Sequence, residues 1–448
     1  MKDIKLHVFC REFVKDSLKI LNSISNVKMP MVNVQSVKFH ENRSGYKTTS
    51  KQVPDLSLFL FQIYDRIASS IAFKSFTNYM LENDKVKKLY TDYEIMRSIP
   101  TAFLEKLLFQ KETLVDNFDE QRFNEVYESF ETYLYSKTVP YRSFIIIPNL
   151  EIETAELTLN NNLKIKPLSE SEFEELLNAL LSPFSSPTLS LLLPKNLVLE
   201  RVYEIRKNPE VVMNSPTGEQ TKETRKIFDN VITALRLFKK GRVGFNAIFG
   251  QNLSDWERGG FRISSSPTSS YSFGGTLKLQ ESEEDDFKNF WNFFKGVNFE
   301  VIDKNFRIAT GRFNSAYERK DPEDRLIDYV IALTSMFSRK KESGLGRYRL
   351  SMRIALLLEK DSEKRKRVRQ EILEIYDKRS AIVHGSDVKK FQNFKNMGDL
   401  VDKAEEYVRR SLKVLLQLDL KLGGRSKVID NIENGLFSAP IDFESDLT

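Results

Sequence analysis

One cysteine, Cys10, and three histidines, His7, His40 and His384, are all that a chain of 448 residues offers to thiol chemistry and to imidazole ligation. A lone cysteine excludes an intramolecular disulfide and a thiolate zinc cage. With the histidines scattered, no metal site is expected and no cofactor is implied. There is no Walker-type phosphate loop, no dinucleotide fingerprint and no zinc spacing, and neither internal repeats nor coiled-coil heptads occur. Runs of about eighteen apolar residues are missing as well. The start MKDIKLHVFC lacks the apolar stretch of a signal peptide, so the expectation is a cytoplasmic protein without a membrane partner.

What is present suits a folded chain: 40% of the residues are hydrophobic and 29% charged, a balance that a disordered polymer does not have. The length exceeds one ordinary core, which predicts two or three domains. The net charge of +6 is unevenly placed. Between Arg319 and Lys390 there are 19 Lys or Arg against 12 Asp or Glu, whereas the remaining residues hold 50 against 51. A basic segment on a neutral body is the footprint of a polyanion partner such as nucleic acid.

Along the chain, LSLFLFQIYDRIASSIAFKSF (56–76) fits helix or buried strand, because a continuous apolar run hides its period. The β-branched stretch 141–168, broken at Pro148-Asn149 and at Asn160, Asn161 and Asn162, predicts successive strands, and 169–181 predicts a helix. SPFSSPTLSLLLP (182–194) reads as a boundary, and the serines and glycines of 263–275 as a loop. A helix is expected from about Lys222 to Lys240, ended by Gly241. From Phe306 onward the pattern is helical. Asp321-Pro322 starts one helix and Asp361 caps another, while Gly385 is placed to stop it. Five helices with short links predict a helical bundle.

The helix after Asp361 ends in YDKRSAIVHG (376–385). Val368, Ile372, Ile375, Tyr376, Ile382 and Val383 mark one apolar face, and Arg379 falls inside it. An unpaired buried ion costs several kcal/mol, so Arg379 calls for a carboxylate, a phosphate or a wet interface. A structural pair with Asp328 or Asp377 is one reading. His384 lies five residues on, about 140° away around an ideal helix. The two converge if the helix end unwinds, if the arginine bends around, or if two copies meet across a twofold axis. Taken alone, His384 is also a helix-end histidine favoured by the dipole.

YDKRSAIVHG resembles the Arg-(four residues)-His signature of HEPN domains, in detail the Apea-like branch. The likeness continues in RFNSAYERKDPEDRLIDYVIAL (312–333) and GRYRLSMRIALLL (346–358), and covers roughly 300–425. Where that branch usually has Ala-Leu-Glu, this chain has Ala332-Leu333-Thr334. The strands and helices read above predict an α+β N-terminal region, and the resemblance implies an all-α C-terminal HEPN helical bundle. The expected divisions are an N-terminal region 1–190, a middle region 191–297 that is continuous with it or separate, the HEPN domain 298–425 and a tail 426–448.

Many HEPN domains are metal-independent endoribonucleases that act as dimers. The resemblance implies catalytic roles for Arg379 and His384 at a composite site of a homodimer, with Ser380 in support. It further implies a toxin or abortive-infection effector whose N-terminal region senses a phage or host trigger. Lys364, Arg365, Lys366, Arg367 and Arg369, with Arg339, Lys340 and Lys341 in the preceding loop, are candidates for tracking RNA, or else form a solvated charged face. The rival to the nuclease is a non-catalytic HEPN module that dimerises and binds RNA or a protein.

Overall fold

Apolar residues at three- and four-residue steps, punctuated by Asp, Ser and Asn caps, and alternating strand segments between them build a mixed α/β protein whose C-terminal half is helical. The structure is a computed structural model that describes residues 3–24, 28–41, 43–110, 113–115, 117–180, 195–210, 214–257, 262–263, 275–297, 302–339, 346–386 and 391–435. The expected connection 182–194 and the interior of the loop 263–275 lie outside them. The chain forms two compact units. The first comprises Met1–Ile146, Asn160–Arg225 and Ala247–Ser266, and the second Ile147–Leu159, Lys226–Asn246 and Pro267–Thr448.

In the first unit, Asp3 caps the helix Ile4–Ser23 by accepting from the Leu6 amide at 2.9 Å, and it also receives the Tyr135 hydroxyl at 2.6 Å. The ambiguous run 56–76 resolves into two helices, Leu56–Ala68 and Ile71–Glu82, parted at Ser69-Ser70, where the Ser70 hydroxyl caps the second. Their inward faces join a phenylalanine-rich core in which Phe13 stacks on Phe76 and Phe103 packs on Phe130. The expected strands follow. Thr138–Ile147 pairs antiparallel with Ile248–Asn252, and Leu163–Pro167 pairs antiparallel with Leu197–Arg206. Helix Glu170–Leu180 covers part of this sheet through Phe173, Leu176 and Leu177.

That helix also holds a hairpin made of Met31–Phe39 and Tyr46–Pro54. Glu170, Glu174 and Asn178, one helical turn apart, accept the backbone amides of Phe39, Val37 and Gln35 at 2.8, 2.8 and 2.9 Å. Side chains thus stand in for the missing neighbouring strand.

In the second unit, helices Glu284–Lys295, Lys304–Glu318, Pro322–Phe337, Gly346–Leu358, Ser362–Val383, Met397–Leu422 and Arg425–Asn434 succeed one another. Asp321 and Asp361 cap as expected, accepting from the Glu323 and Lys364 amides. Met397–Leu422 buries the stripe Val401, Ala404, Val408, Leu412, Leu415 and Leu418. Glu405, on the same helix, collects the Tyr317 hydroxyl at 2.8 Å and the guanidinium groups of Arg325 and Arg409.

Two expectations need correction. Residues 426–434, assigned to a tail, belong to the helix Arg425–Asn434, whose Val428, Ile429 and Ile432 are fully buried. Arg425 fixes its start by donating to the Met336 and Ser338 carbonyls. Gly241 follows the helix Gly218–Phe238, but it serves a close approach: a Cβ there would lie 2.4 Å from the Leu277 Cβ.

Candidate functional site

The helix Ser362–Val383 carries the motif, and three- and four-residue spacing decides which of its residues pack. Val368, Ile372 and Ile375 are buried. The same stripe continues to Arg379, which is half-buried, while Tyr376 and Ile382 are half-buried and Val383 is exposed. The predicted apolar face therefore fades after Ile375.

Neither carboxylate named for a structural pair with Arg379 is paired with it. Asp328 is held by Arg312 at 2.9 Å and by Arg319 at 3.2 Å. Asp377 pairs with Arg347. The Nε of Arg379 is buried and finds no hydrogen-bond partner among the described residues. A guanidinium with a buried Nε and no carboxylate partner among the described residues is disposed to take an anion.

His384 is exposed and caps the helix. Its amide donates to the Ser380 carbonyl at 3.1 Å, that of Gly385 to Ile382 at 3.2 Å, and that of Ser386 to Ala381 at 2.9 Å. Gly385 has φ +66°, the left-handed conformation that this capping pattern requires. The helix thus stays wound as far as His384. Unwinding, one of the routes to convergence, is closed, and on an ideal helix five residues set two side chains about 140° apart. Ser380 is half-buried beside Arg379, with its carbonyl engaged by the turn.

The basic run is partly answered by local partners. Lys366 pairs with Glu363 and Arg367 with Glu371, and these hydrogen bonds raise the pKa of both cations. Arg365 donates to the Glu359 carbonyl at 2.6 Å, and Arg369 lies over the Tyr348 ring. Lys364 is exposed. Arg339 is turned to the last helix, where it meets Asp430 at 2.5 Å and Glu433 at 2.9 Å. Lys340 and Lys341 lie outside the described residues.

Glu374 and Lys378, both buried on the motif helix, were not singled out from the sequence. Glu374 accepts from the Gln392 amide at 2.8 Å and from the Asn393 amide and side chain at 2.7 Å. Lys378 lies over the Phe391 ring at 4.4 Å. Together they tie the returning chain to the helix. The signal was present, since Glu374 adjoins Ile375 within the packing stripe as Arg379 does.

The first unit holds a separate buried amine. Lys207 meets the Tyr90 hydroxyl and the Tyr133 carbonyl, and its Nζ sits 3.8 Å from the Tyr133 ring centroid. Burial lowers this amine to about 7, against the pull of Glu257 and Glu94. Among the described residues no cluster of three His, Cys, Asp or Glu side chains gathers as a metal site would, and no helix is long and apolar enough to cross a membrane.

No protein-family model, no curated protein and no solved structure matches this chain.

Proposed function

We propose that the protein is a metal-independent endoribonuclease of the HEPN type, with Arg379 and His384 as its catalytic pair and the second unit's helices as the HEPN bundle. The observation that carries this reading is the guanidinium of Arg379, set in a packing stripe with its Nε buried and without a carboxylate partner among the described residues. Asp328 and Asp377, the candidates for a structural pair, are engaged by Arg312, Arg319 and Arg347 instead.

RNA brings its own nucleophile, the 2′-hydroxyl. Cleavage then needs a base for that hydroxyl, an acid for the departing 5′-oxygen, and a cation on the crowded phosphate. An imidazole suits the proton transfers and a guanidinium the phosphate. Ser380 offers a hydroxyl to a phosphate oxygen in support. The products are a 2′,3′-cyclic phosphate and a 5′-hydroxyl end.

Because one helix sends Arg379 and His384 in different directions, the active form is a homodimer in which each arginine works with the partner's histidine. Lys364 and its basic neighbours guide the RNA backbone. The first unit acts as the sensor of a phage or host trigger, in a toxin or abortive-infection role.

The test compares wild type with His384→Ala in cells, followed by inspection of total RNA and of fragment ends. Loss of a proton-transfer group lowers cleavage by about 10²–10⁴. Equal RNA integrity, with the variant no less toxic, favours the non-catalytic binding module instead.

A further inference from the structure

Among the described residues, the hairpin of the first unit has one closed edge and one open edge. On the closed side the amides of Gln35, Val37 and Phe39 point away from the second strand and into helix Glu170–Leu180. In an antiparallel ladder, a residue whose amide points outward faces a partner that also points outward. The register pairs Phe39 with Tyr46, Val37 with Thr48 and Gln35 with Ser50. Tyr46, Thr48 and Ser50 therefore turn their backbone donors and acceptors to the far edge. Among the described residues no strand pairs there, and Lys47 through Gln52 are exposed.

Charge decides what such an edge accepts. Between Lys28 and Pro54 there are five Lys or Arg and one acid, Glu41. Val37, Phe39 and Tyr46 face the core, the two rings packing against Phe173. Alternation then puts Lys38, Lys47 and Lys51 on the outer face, where Lys38 stands directly opposite Lys47. Like charges in that position are unfavourable. They oppose pairing with a second copy of the same strand, and an opposite charge relieves them.

We propose that the edge strand Tyr46–Pro54 is a docking site for an extended acidic peptide segment of a partner protein, added as a third strand with its carboxylates over Lys38 and Lys47. Backbone pairing at Tyr46, Thr48 and Ser50 supplies affinity, and the lysine face selects charge. This site is independent of the nuclease reading.

The probe is a fluorescein-labelled peptide of about ten residues alternating glutamate with threonine or valine, long enough to span the strand at ~3.4 Å per residue. It is titrated against the full chain by fluorescence anisotropy. The acidic peptide is expected to bind, and its lysine counterpart is not. N-methylation of every second amide in one parity should weaken binding by about tenfold or more, because each ladder bond it blocks leaves a group unpaired, while the other parity binds like the parent. The double variant K38E/K47E, checked for folding by circular dichroism, should reverse the preference toward the lysine peptide. Equal binding of the two methylated forms, or equal binding of acidic and lysine peptides, would overturn the proposal. So would an oligouridine bound in place of the acidic peptide, or self-association of the chain that K38E/K47E abolishes.

Discussion

The Glu374 carboxylate receives the backbone amide of Asn393 at 2.7 Å, so the chain that leaves the motif helix after Gly385 is fastened back to that helix before it continues. The carboxylate is buried and accepts three hydrogen bonds, which leaves little room for a substitute. Glu374→Ala is expected to strand those donors and lower unfolding free energy by about 1–3 kcal/mol, measured in urea. If the nuclease reading holds, RNA cleavage falls as well, through a loosened His384 turn. Unchanged stability would show that the tie is idle.

Arg379 separates stability from activity. With no carboxylate to abandon among the described residues, Arg379→Leu leaves no orphaned anion and adds apolar surface to the stripe of Ile372 and Ile375. Its urea midpoint should equal or exceed that of wild type, while RNA cleavage is lost. A variant that unfolds readily would reveal a structural role for the guanidinium.

Lys207 gives the first unit a pH dependence of definite sign. Its amine sits near 7 when folded and has an ordinary value of 10.5. Below about pH 7 both folded and unfolded chains hold the proton, and the buried cation costs stability in full. Between the two values only the unfolded chain holds it, so stability rises with pH, by at most about 1.4 kcal/mol per unit. Urea titrations from about pH 6 to 9 should show Lys207→Met flattening that slope, since only the wild type then has an amine to discharge. Identical slopes in the two proteins would refute the assignment.

Gly241→Ala tests the close approach of residues 275–279. The new methyl would meet the Leu277 Cβ at 2.4 Å and its Cα at 2.6 Å, atoms that cannot swing aside as a flexible side chain would. A loss of about 1–3 kcal/mol is expected from overpacking, read as a lowered thermal midpoint.

Local chemistry was legible and long-range chemistry was not. Asp321-Pro322, Asp361 and Gly385 announce helix ends because a cap is settled by a few neighbouring residues. The run 56–76 hid its two helices because apolar Leu58, Phe61 and Ile71 remain exposed, which blurs the period. The first hairpin was missed because its outer strand is polar and exposed from Lys47 to Gln52 and its inner edge is satisfied by residues far along the chain. At the candidate site, the place of Arg379 in a packing stripe could be read from spacing. That Asp328 and Asp377 were already taken could not, because Arg312, Arg319 and Arg347 reach them only in the folded chain.

The side-chain ladder of Glu170, Glu174 and Asn178 has a metrical consequence. Four helical residues advance about 6.0 Å and two strand residues about 6.7 Å, so the helix and the strand keep step over this short distance. One extra residue between Gln35 and Phe39 would rotate an amide away from its acceptor and expose Val37. Growth or trimming of the hairpin is therefore confined to its tip, around residues 40–45, and the helix serves as the ruler against which the strand is cut.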